Sequence, residues 1–264
     1  MTGILAVLSG VLGLAIGSFL NVVVHRVPRG ESVVNPPSAC PRCELRISPR
    51  DNVPLVSWVL LRGRCRGCAL PISVRYPLIE LLTAALFVTV TLVVGASWAL
   101  PAYLYLTAIA VALAAIDIDV KRLPDPIVLP SYPVALVLLA MASLGAGDWS
   151  ALLRAVIGGV ALFALYFLLV LIKPGAMGLG DVKLAGVLGM YLGWWGWSAL
   201  AVGAFGAFLL GGIGGLVLVL GRGAGRRTRI PFGPYMLAAA LASLVVAAPI
   251  AGWYLNLLGI APTG

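Results

Sequence analysis

Two short acidic clusters stand at the edges of long apolar runs: Asp117-Ile118-Asp119 with Leu123-Pro124-Asp125, and Gly178-Leu179-Gly180-Asp181-Val182-Lys183. Together they hold four of the chain's nine acidic residues. An ionised aspartate costs roughly 2.5–3.5 kcal/mol at the centre of a spanning helix and less near its end, so carboxylates here need a reason. Three stay open on residue type and spacing. One is that the carboxylates neutralise Lys121, Arg122 and Lys183. A second is that they carry ions or protons through a transporter. The third is that Asp117 and Asp181 work as an acid–base pair. Asp117 and Asp119 lie about 200° apart on a continuing helix, so only one of them can face a given partner. Glycines beside Asp181 let another backbone lie close to it.

The second set able to do chemistry is Cys40-Pro41-Arg42-Cys43 and Cys65-Arg66-Gly67-Cys68. Paired CxxC elements gather four thiolates for tetrahedral zinc. A reducing compartment disfavours the alternative of two disulfides. Four thiolates leave no open position, so Cys40, Cys43, Cys65 and Cys68 predict a structural zinc rather than a catalytic one. The single histidine, His25, reads as an interfacial residue at a helix end.

The elements that must position these groups are apolar almost throughout. Of the residues, 61% are hydrophobic and 10% charged, against about 25% charged in a soluble domain. No alternating ten-residue segments mark a barrel. The expected fold is therefore an all-α polytopic membrane protein of about eight transmembrane helices, with a small cytoplasmic zinc-binding domain between the first and second. Its parts are a first helix over 1–24, a four-cysteine zinc-binding domain over 25–75 and a membrane domain over 76–264. Spans are expected at 77–95, 100–119, 126–145, 151–172, 183–199, 201–220 and 233–258. Gly193-Trp194-Trp195-Gly196-Trp197 is either an interfacial turn or part of a continuous pair of helices.

A net charge of +9 could suggest nucleic acid, but the basic residues are confined to 26–75 and to loops at 120–125, 173–182 and 221–232 (with Lys183 at the edge of one), and Arg154 stands apart. This is the positive-inside pattern, and it predicts topology rather than a nucleic-acid partner. It places those loops in the cytoplasm, both termini outside, and Asp117 and Asp181 on one cytoplasmic face. The first apolar run lacks a basic flank before it and reads as a retained helix.

With these residues in view, the sequence resembles the bacterial type IV prepilin peptidases, bifunctional leader peptidases and N-methyltransferases of the GxGD aspartic type. The match runs through Gly17-Ser18-Phe19-Leu20-Asn21, Cys40-Pro41-Arg42-Cys43, Asn52-Val53-Pro54-Leu55 and Arg75-Tyr76-Pro77-Leu78-Ile79-Glu80. It continues in Ile116-Asp117, Leu123-Pro124-Asp125, Gly178-Leu179-Gly180-Asp181-Val182-Lys183 and Ile230-Pro231-Phe232-Gly233-Pro234. His25, Val27 and Arg122 depart slightly from the pattern. The resemblance implies that Asp117 and Asp181 are the catalytic pair of an inner-membrane peptidase. It also implies that the substrates are prepilins or pseudopilins, cut after a Gly on the cytoplasmic side, and that the new N-terminus is methylated from S-adenosylmethionine. No glycine-rich nucleotide loop after a strand marks a place for that donor.

Overall fold

The computed structural model describes residues 2–175, 177–222 and 231–259. Its regular structure is helical, with two isolated β-bridges and no strand among the described residues. The helices are α1 (Thr2–Arg26), the short α2 (Val56–Leu60), α3 (Arg75–Val94), α4 (Leu100–Val120), α5 (Asp125–Ala146), α6 (Trp149–Ile172), α7 (Leu179–Trp195), α8 (Trp197–Arg222) and α9 (Gly233–Leu257). Seven of them (α1, α3, α4, α5, α6, α8 and α9) are long and apolar enough to cross a membrane. Apolar residues such as Ile4, Val11, Leu153, Phe205 and Leu216 are exposed, as expected of helices whose outer faces meet lipid rather than water. The basic residues Arg226, Arg227 and Arg229 of the last expected loop lie outside the described residues.

The chain forms two compact units, Met1–Ile116 and Asp117–Gly264, the boundary falling inside α4. In the first, α1 packs along α3 through small residues. A Cβ on Gly13 would lie 2.7 Å from Ala84 Cα, and one on Gly17 would lie 2.7 Å from Glu80 Cα. Such close backbone approach takes the place of the hydrophobic drive that lipid abolishes.

In the second unit α7 is the central helix. Every residue from Leu184 to Gly193 is buried, and α7 packs against α5, α6, α8 and α9. Its tightest neighbour is α6: a Cβ on Gly158 would lie 2.5 Å from Gly189 O, and one on Gly159 would lie 2.7 Å from Met190 Cγ.

Two boundaries differ from expectation. Spacing predicts spans at 183–199 and 201–220, but α7 opens four residues earlier and the chain turns at Gly196. The early start comes from Gly178, whose N–H donates to Asp181 Oδ2 at 3.1 Å, so the aspartate caps the first turn of its own helix. The turn comes from the φ of +153° at Gly196, a conformation that a side chain would resist. The tryptophans therefore flank a break between two helices.

Candidate active site

Asp117 sits in the last turn of α4, only 4% exposed, although it is one residue from the exposed Ile118. Its Oδ2 accepts a hydrogen bond from Gly233 N at 3.0 Å. Asp181, in the first turn of α7, has the matching arrangement with Gly178. Each carboxylate thus holds one backbone amide, and Leu123 lies against both Gly233, which holds Asp117, and Gly180, which precedes Asp181. Among the described residues neither forms an ion pair. Asp119 is exposed on another side of α4, as the 200° offset requires.

The two sequence clusters meet at more than this pair. Lys183 Nζ reaches both oxygens of Asp125, at 2.8 and 2.9 Å, so charge neutralisation accounts for Asp125 and leaves Asp117 and Asp181 unexplained by it. Tyr132 Oη donates to Lys183 O at 2.6 Å, and Gly186 leaves room for that phenol, pinning α5 to α7. Leu123, between α4 and α5, fills the remaining gap: a Cβ on Gly180 would lie 3.1 Å from its Cβ, and one on Gly233 would lie 3.2 Å from its Cδ2. A Cβ on Gly233 would also lie 2.8 Å from Asp117 Oδ2. Gly233 thus permits the backbone to approach the carboxylate. Residue type carries no direct sign of that role, although the flanking Pro231 and Pro234 mark a fixed turn.

In the first unit the four cysteine sulfurs lie within 4.8 Å of one another. Cys40 and Cys68 are 3.9 Å apart, as are Cys43 and Cys65. Four Zn–S bonds of about 2.3 Å in a tetrahedron require S···S edges of about 3.8 Å, so the donors and their spacing fit that ion. Two copies of one turn build the cluster. Cys40 N donates to Leu45 O at 3.0 Å and Glu44 N to Cys40 O at 2.9 Å; Cys65 N donates to Leu70 O at 2.8 Å and Ala69 N to Cys65 O at 2.9 Å. Glu44 and Ala69 share a φ of 57°, and the bridges Ala39–Arg46 and Arg64–Pro71 close the two turns. Amides of Cys43 and then Arg42 hold the Cys40 thiol down to about 6, and those of Cys68 and Gly67 lower Cys65; the Leu45 amide also favours the Cys43 thiolate, but burial and the neighbouring sulfurs push Cys43 up to about 11, so without a cation the four thiols do not all ionise together. Arg66 holds Asp51 through bonds of 2.6 and 2.8 Å and keeps its carboxyl below the usual range.

Glu80, which sequence reasoning places only within a motif, has a structural part in the first unit. It is 7% exposed on α3, and its Oε2 accepts from Leu55 N at 2.8 Å. Leu55 has φ 57° and ψ −51° and centres a tight three-residue turn closed by Val56 N to Pro54 O at 2.6 Å. The carboxylate thereby ties the Cys-bearing segment to a membrane helix. His25 is exposed at the end of α1, beside Arg29.

The fold and site together define a multi-pass helical membrane protein with one amide-held carboxylate at the end of α4, another at the start of α7, and a four-thiol cluster able to hold a metal. Residues 11–94 match the bacterial peptidase A24 N-terminal domain, and residues 104–256 match the type IV leader peptidase family. Curated relatives bear the name prepilin leader peptidase/N-methyltransferase. One from Aeromonas hydrophila is 40% identical, the match covering 92% of this chain and 91% of the relative. One from Pseudomonas aeruginosa is 38% identical over 94% and 92%, and one from Neisseria gonorrhoeae is 38% identical over 86% and 85%. No solved structure matches. The chain belongs to the type IV leader peptidase family, and nothing in the fold or these relatives supports the transporter reading.

Proposed function

We propose that this protein removes the leader peptide of type IV prepilins and pseudopilins, with Asp117 and Asp181 as its catalytic pair, and methylates the amine so exposed. The observation that carries the reading is the pairing of two carboxylates, each held by one backbone amide and neither matched to a cation among the described residues. Like charges at close range resist double ionisation, so the pair shares a proton. The ionised member takes a proton from water; the protonated member polarises the scissile carbonyl. The resulting tetrahedral diol collapses as the leaving amine is protonated, with no acyl-enzyme. The protein acts from the cytoplasmic (inner) membrane, cutting after a Gly on the cytoplasmic side, where the charge pattern puts both aspartates.

Cys40, Cys43, Cys65 and Cys68 would hold one zinc, which would cross-link a segment too small to bury much core. Methylation would draw on S-adenosylmethionine. The described residues contain no strand followed by a glycine-rich loop to cradle it, so no residue is assigned to that donor.

The test incubates detergent-purified protein with a prepilin and weighs the product with and without S-adenosylmethionine. Loss of the leader, then a further gain of one methyl group when the donor is present, is expected. An uncut prepilin would reject the peptidase reading; a cut but unmethylated product would reject only the second activity.

A further inference from the structure

The register of α6 against α7 sets a tyrosine opposite Asp181. Gly193 lies on the Arg154 backbone and Gly189 on that of Gly158, so the antiparallel helices advance four residues at a time in opposite directions. Continuing those steps sets Leu162 against Ala185, which line one small cavity with Tyr166, and then Tyr166 against Asp181.

The ring end of the same residue serves the other carboxylate. Tyr166 is 1% exposed, with its ring centroid 5.2 Å from Phe208 and 6.3 Å from Phe232, while Phe208 and Phe232 are 5.7 Å apart. These are tilted aromatic contacts of the favourable kind. Gly211 of α8 is open to admit the Phe232 ring: a Cβ there would lie 2.6 Å from Phe232 Cε2. Phe232 directly precedes Gly233, whose N–H holds Asp117.

We propose that Tyr166 is a positioning residue for peptide cleavage, its ring bracing the Phe232–Gly233 turn behind Asp117 while its hydroxyl serves as a donor toward Asp181. The inference rests on the catalytic assignment of the two aspartates. A phenol carries its proton at neutral pH without any help from its surroundings, and so is able to donate. It would act on the reacting geometry rather than on substrate binding, which separates it from a residue that merely fills the core.

The test is steady-state cleavage of a prepilin by full-length variants in detergent. Tyr166→Phe keeps the ring cluster and removes the donor; kcat should fall about tenfold with KM within about twofold of the parent, roughly the effect of one hydrogen bond. Tyr166→Leu, which loses both ends, should fall at least about tenfold further. Leu139→Ala, a buried change on α5 away from the site, supplies a destabilised control that should keep its kcat. A parental kcat in Tyr166→Phe overturns the proposal, as does an equal loss in Leu139→Ala at matched melting temperature. If Asp181→Asn still cleaves, the catalytic assignment itself fails; if Asp181→Asn is inactive and Tyr166→Phe is not impaired, only the role of Tyr166 fails.

Discussion

Asp117 and Asp181 act as one unit in the proposed chemistry, so their losses should not add. Asp117→Asn and Asp181→Asn should each abolish cleavage while leaving insertion intact, and the double variant should be no worse than either. Asp119→Asn should keep substantial activity, because that side chain is exposed elsewhere on α4. Cleavage assays on the four proteins check this, and full activity in Asp181→Asn would remove the assignment. Gly233→Ala offers a subtler probe. Its methyl would press on Asp117 Oδ2 and Leu123, so cleavage should fall at least about tenfold with melting temperature lowered by only a few degrees. The aspartates are legible in the sequence because charge is conspicuous in an apolar run. Tyr166 is not, since one tyrosine among leucines on α6 has no signal until the α6–α7 register sets it opposite Asp181.

Among the elements, the two cysteine turns are legible as a spacing, while their likeness is not. Their equivalence emerges only when backbone bonds and the left-handed Glu44 and Ala69 are compared, because outside the cysteines the two hexapeptides share just Leu45 and Leu70. Purified protein should carry about one zinc per chain, and Cys40→Ser or Cys68→Ser should release it, with stability falling before carboxylate chemistry does. Metal analysis and thermal melting measure the two effects separately; protein free of zinc when purified without chelator would reject the site. The start of α7 is misplaced by sequence reasoning for a physical reason. Gly178 and Gly180 read as a loop because glycine weakens a helix interior, yet the cap that Asp181 makes with Gly178 outweighs that cost at a first turn.

For the molecule as a whole, composition foretells a helical membrane bundle, and seven described helices meet the length and composition for crossing. The remaining long helix, α7, has 17 residues and carries both Asp181 and Lys183. If the basic loops lie in the cytoplasm, a cysteine placed at Ser150 should react with a membrane-impermeant thiol reagent on intact cells, and one placed at Lys173 only after the membrane is opened. Peptide masses locate the label. Labelling of Lys173→Cys in intact cells would put the aspartates on the wrong side for a leader that has not crossed.

The enclosure of α7 also bears on how the protein is made. This helix is short, glycine-rich and charged at one end, and its neighbours cover it along nearly its whole length. It therefore has little to gain from lipid by itself as it leaves the ribosome. The one-residue break at Gly196 joins it to α8, which is apolar and mostly uncovered by the rest of the protein. Synthesis would thus deliver the two as a hairpin, with α8 anchoring the bilayer while α7 waits for α9 to close over it. Biogenesis of the carboxylate pair would then be a late event, completed only when Gly233 emerges, and a nascent chain would remain proteolytically silent until nearly all of its membrane domain had been translated.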